Sequence, residues 1–101
     1  MTSLCDKIEN INPHYKIICE MIEDETRVLD LGCGSGTLLS ILKKCKNISG
    51  HGIEIDENKV IKCIQNGLSV FQGNIDEGLK EYKDNSYDYV ILNQTLTFTH
   101  N

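Results

Sequence analysis

A chain of 101 residues, 40% hydrophobic and 25% charged, has the composition of one small globular domain and excludes a disordered one. Ten basic against fifteen acidic residues leave a net charge of −5. With no lysine/arginine stripe to neutralise phosphates, a nucleic-acid partner is not expected, and no apolar run approaches the length of a membrane span.

The N-terminal run "MTSLCDKIENINPHYK" lacks the apolar core of a signal peptide, so a cytoplasmic location is expected. Five cysteines at 5, 19, 33, 45 and 63 include no C-x-x-C pair. That spacing favours neither a disulfide framework nor a metal site, and each is read as a small, reduced, partly buried hydrophobe.

In chain order, "INPHYKIICEMIEDE" predicts a helix capped by Asn12 with Pro13 in its first turn, and Ile18, Met21 and Ile22 on its inner face. "RVLDL" predicts a short apolar strand. "TLLSILKKCK" predicts a helix with Leu38, Ile41, Leu42 and Cys45 on one stripe, its lysines suiting the dipole at its end. "GHGIEID" is a second strand. Asp56 caps the helix "ENKVIKCIQNG", with Val60, Ile61 and Ile64 as the expected inner face and Asn66-Gly67 as its stop. "LSVFQG" is a third strand, "IDEGLKEYKDNS" a connector with one or two helical turns, and "YDYVILN" a fourth strand. Strands alternating with helices predict an α/β class with a mostly parallel sheet, whose ligands bind beyond the carboxyl ends of the strands.

The stretch "VLDLGCGSG", Val28 to Gly36, carries the chemistry. Gly32, Gly34 and Gly36 bare the backbone where the first strand turns into a helix, so a ligand can touch it. A dinucleotide wants G-x-G-x-x-G; here Thr37 stands in the place of the third glycine, and Asp30 at the lip would oppose a pyrophosphate. A ligand with sulfonium and ammonium groups, S-adenosylmethionine, is attracted by the same carboxylate. Glu54, twenty-two residues after Gly32, is placed to accept both ribose hydroxyls. Asn74 can accept from the adenine amino group, and the N–H of Ile75 can serve a ring nitrogen. Against these stand plainer roles: turn amides for Asp30, a strand-end charge for Glu54 and a turn for Asn74. Cys33, inside the loop, has no base placed near it and is read as packing rather than as a nucleophile.

These residues, with "GIEID", "FQGNI" and "YDYVIL", resemble the cofactor-binding half of a class I S-adenosylmethionine-dependent methyltransferase. More narrowly, "IQNGLSVFQGNIDEGL" and "NQTL" are similar to the methionine biosynthesis protein MetW family. The resemblance implies a Rossmann-like parallel sheet with flanking helices, of which this chain is the N-terminal four-strand half in the order 3-2-1-4. It implies S-adenosylmethionine or S-adenosylhomocysteine as cofactor, held by Asp30, Gly32, Cys33 and Gly34 in the loop, Glu54 and Ile55 after the second strand, Asn74 and Ile75 after the third, and Asn93 where the methyl group would point. It also implies a role in methionine biosynthesis beside homoserine O-acetyltransferase, either as a methyltransferase or as a non-catalytic regulatory partner. The expected unit is one domain over 1–101, C-terminally truncated and inactive alone. An exposed edge at strand four and an uncovered sheet face lead to an expected homodimer.

Overall fold

The computed structural model describes residues 12–81, 87–92 and 97–100. In chain order the elements are α1 (Pro13–Met21), β1 (Arg27–Leu31), α2 (Thr37–Lys46), β2 (Ser49–Glu54), α3 (Glu57–Gln65), β3 (Ser69–Gln72), α4 (Ile75–Glu81), β4 (Tyr89–Leu92) and β5 (Thr97–His100). Three helices begin at side-chain caps. Asn12 accepts from the N–H of His14 at 2.9 Å with Pro13 opening α1. Asp56 accepts from the N–H groups of Asn58 and Lys59 at 2.9 and 3.3 Å to open α3. Asn74 and Glu77 form a reciprocal box at α4, each accepting from the other's backbone N–H at 2.8 and 3.0 Å.

The sheet order is β3-β2-β1-β4-β5. The first four strands are parallel, in the Rossmann-like order 3-2-1-4 that the family resemblance implies. The fifth departs from it: β5 returns antiparallel along β4, from Leu92↔Thr97 to Tyr89↔His100. Strand four is therefore not an open edge, and a dimer formed by joining two β4 edges has no edge to use. The signal was the alternation "TLTFTH", a period-two strand pattern that continues past "YDYVILN".

Two apolar layers sandwich β1. On one face Val28, Tyr89 and Ile91 pack under Ile18 and Cys19 of α1 and Leu38, Leu39, Ile41 and Leu42 of α2. On the other, Leu29, Leu31, Ile53 and Tyr87 are buried, with Phe71, Ile75, Val90 and Leu92 packed against them. Leu29 and Ile53 are only 2% and 1% exposed, so this face is better covered than the sequence suggests. α4 lies on it so closely that a Cβ at Gly78 would overlap the Ile53 side chain.

Two expected inner faces are corrected. In α1, Ile18 and Ile22 are buried, but Cys19 joins them and Met21 is exposed. In α3, Val60 and Cys63 are buried, whereas Ile61 and Ile64 face outward. Helix α3 approaches the glycine loop closely on its Cys63 side: a Cβ at Gly36 would stand 3.0 Å from the Cys63 sulfur. Cys19, Cys33 and Cys63 are free thiols. Cys45 is disulfide-bonded, so the reading of every cysteine as reduced fails there. Among the described residues, no helix is long and apolar enough to cross a membrane.

Candidate cofactor site

The loop after β1 is tied to β2 at once, because the N–H groups of Gly32 and Cys33 both donate to the Ile53 carbonyl at 2.8 and 3.0 Å. Gly32, Gly34 and Gly36 all lie in the left-handed region, at φ 74°, 61° and 86°. They serve different ends. Gly36 is buried, and any side chain there would overlap Leu68. Gly34 has nothing within 4 Å of where a Cβ would point, so its bare backbone faces open space.

Glu54, at the last position of β2, is 8% exposed. Its Oε1 accepts from the N–H of Gly34 at 2.8 Å and its Oε2 from the N–H of Asp56 at 2.9 Å. These bonds lock the carboxylate at the carboxyl edge of the sheet, and each oxygen keeps a second acceptor direction. Beside it lies a recess of about 370 Å³ whose walls include Gly32, Glu54, Ile55, Asn74, Ile75 and Asp76. A second recess, of about 280 Å³, is lined by Tyr15, Cys33, Gly34, Ser35, Thr37 and Lys59, and meets the first at Gly32. Together they fall in the range of about 300–1,000 Å³ of ordinary ligand sites.

Gly32, Glu54, Ile55, Asn74 and Ile75 are thus brought to one recess, with Cys33 and Gly34 at the neighbouring one. Asp30 is fully buried at the end of β1 and is not among the residues lining either recess; its charge reaches the hydroxyl of Tyr15 and the thiol of Cys33. Cys33 is turned inward: a Cβ at Gly52 would stand 2.5 Å from its sulfur. Burial first, then the neighbouring Cys63 and Asp30, pushes its thiol far up from the ordinary range, a direction that disfavours the reactive thiolate. Asn74 spends its side-chain oxygen on the helix cap while its residue still borders the recess. Asn93 lies outside the described residues.

Three contributors were missed from sequence. Cys63 donates from its sulfur to the Gly34 carbonyl at 3.2 Å, clamping α3 to the loop. Tyr15 reaches the site from α1, and Lys59 from the first turn of α3. Only the Asp56 cap hinted at Lys59, since it sets which residues open that helix. A larger groove of about 840 Å³ runs between α2 and α3, lined by Lys43, Lys44, Lys62, further polar side chains and the apolar Ile41 and Leu68. It carries neither bared glycine backbone nor a fixed acceptor, so the strand-end recesses are the stronger site. Among the described residues, no cluster of three or more His, Cys, Asp or Glu could hold a metal ion.

Over residues 12–101 the chain matches the family described as methionine biosynthesis protein MetW. It belongs to the MetW family. It is 31% identical over 99 residues to the bifunctional methionine biosynthesis protein MetXA/MetW of Rhodopirellula baltica, covering 90% of this chain and 16% of that protein. Among solved structures it is similar to a SAM-dependent methyltransferase from Archaeoglobus fulgidus, with TM-score 0.69 and 28% identity over 82% of this chain and 37% of the other. A SAM-dependent methyltransferase from Thiobacillus denitrificans in complex with S-adenosyl-L-homocysteine shares the fold, with TM-score 0.67 and 20% identity over 80% of this chain and 36% of the other. This MetW-family chain therefore has a methyltransferase-like fold, and it spans 16% of the length of the MetXA/MetW relative and just over a third of the length of these methyltransferases.

Proposed function

We propose that the chain binds S-adenosylmethionine or S-adenosylhomocysteine across the two recesses, as the cofactor-holding part of a methyltransferase-like protein of methionine biosynthesis. The observation that carries this reading is the Glu54 carboxylate, locked by two backbone N–H groups beside the bared Gly34 and at the wall of the larger recess. A fixed pair of acceptor oxygens suits a vicinal diol such as a ribose presents. Ile55, 66% exposed at the recess, offers an apolar surface to a base, and Ile75 borders the same space. The amide of Ile75 and the buried charge of Asp30 complete the donor and charge pattern expected for this ligand.

Calorimetric titration tests the reading. S-Adenosylhomocysteine is expected to bind and NAD is not, and Glu54→Ala should weaken binding by about 1–3 kcal/mol, the cost of leaving ligand hydroxyls unpaired. Tighter binding of NAD than of the methyl donor overturns it.

A second reading is favoured by the fused relative, whose name joins MetXA to MetW in one chain. In this reading the chain acts on a homoserine O-acetyltransferase as a regulatory partner. Adding the purified chain to the acetyltransferase should then change its turnover, and unchanged rates over a range of ratios count against it. Self-association into a homodimer is proposed in a weaker form, through the half-buried Phe71, Val90 and Leu92 of the second sheet face; a monomer by light scattering at high concentration removes it. The cytoplasmic location stays a proposal of the same kind, tested by fractionating cells.

A further inference from the structure

We propose that Lys59 recognises the carboxylate at the amino-acid end of the methyl donor, in the recess between α1 and the glycine loop. This rests on the cofactor reading above and assigns one residue its specificity. The two recesses differ in charge. The larger one is bordered by the acids Glu54 and Asp76 and, among the described residues, by no lysine or arginine. In the smaller one Lys59 is the only cation among the described lining residues. A ligand that crosses from one to the other past Gly32 is therefore received by acceptors at one end and by a cation at the other. That order suits a nucleoside whose hydroxyls meet Glu54 and whose tail ends in a carboxylate.

The placement of Lys59 is built in. Its backbone N–H is held by the Asp56 cap at 3.3 Å, which puts it in the first turn of α3, and the residue borders the recess beside the glycine loop. The rest of the recess is suited to a charged, hydrogen-bonding tail. Ser35 and Thr37 bring hydroxyls from the loop and from the start of α2. Tyr15 closes the α1 side; burial, with the Asp30 charge behind it, raises its pKa, so the phenol stays a neutral donor at physiological pH. Gly34 leaves the floor clear of any side chain. A lysine ammonium supplies three donors and a point charge, which a flexible carboxylate can meet from several directions.

The test uses two probes that share the nucleoside and differ in the tail: S-adenosylhomocysteine, and 5′-methylthioadenosine, which has no amino-acid group. Wild type, Lys59→Gln and Lys59→Arg are titrated calorimetrically with each. Lys59→Gln should weaken S-adenosylhomocysteine about tenfold, the effect of one charge-assisted contact at a partly open site. It should leave 5′-methylthioadenosine unchanged, and Lys59→Arg should restore most of the loss. If Lys59→Gln binds S-adenosylhomocysteine like wild type, or weakens both probes equally, the assignment to Lys59 is wrong while the cofactor reading stands. If wild type binds neither probe, the cofactor reading fails and takes this assignment with it. Lys59 is exposed, and circular dichroism of each variant checks that the fold is kept.

Discussion

The glycines of the loop differ in what they protect. Gly36 combines φ 86° with a packing contact, since a Cβ there would overlap Leu68 and stand 3.0 Å from the Cys63 sulfur. Gly34 has φ 61° and open space. Gly36→Ala should therefore lose about 1–2 kcal/mol to backbone conformation and about 1–3 kcal/mol more to overpacking, whereas Gly34→Ala loses only the first. Urea unfolding of the two variants measures the difference; equal losses would mean that α3 moves away from the loop at no cost. Gly34→Ala should instead act on ligand binding, because its methyl group would stand in the recess.

Among the elements, α4 is the most dependent on its cap. Seven residues are too few for a helix to hold by itself, and the Asn74–Glu77 box ties two of its orphan N–H groups. Asn74→Ala should cost about 0.5–2 kcal/mol and raise amide exchange through Ile75–Glu81. Because the two hydrogen bonds are reciprocal, Asn74→Ala and Glu77→Ala together should cost less than the sum of the single changes. Additive losses would show that the caps act independently. The same helix covers Ile53 through Gly78, so fraying it also loosens one wall of the larger recess.

Across the whole molecule, a polar cluster on β1, β2 and the segment before β4 links stability to pH. The Tyr87 hydroxyl and His51 Nδ1 are 3.1 Å apart, and the Arg27 guanidinium sits 5.2 Å from the Tyr87 ring centre. Burial first, and the Arg27 charge second, lower the His51 pKa from 6.5. The folded state therefore resists protonation of this ring more than the unfolded state does. Its contribution to stability is intact above about pH 6.5 and is lost as the pH falls towards the lowered folded value. The thermal midpoint should drop over that interval, and His51→Gln should flatten the drop. An unchanged slope in His51→Gln assigns the effect to other groups.

Local chemistry was readable along the chain. Apolar periodicity and the flanking glycines marked the boundaries of α2 and β1 to the residue, because helix and strand periodicity act within a few positions. The glycine spacing, Glu54 and the 3-2-1-4 order followed from the same local signals and the resemblance they carried. What only the tertiary structure decided depends on contacts between distant segments. β5 covers β4 through pairing that no local rule requires. Cys63, and not Ile61 or Ile64, faces the core from α3, where its sulfur meets the Gly34 carbonyl of a loop twenty-nine residues away. Tyr15 and Lys59 meet across one recess although forty-four positions separate them, and periodicity within either helix says nothing about that meeting.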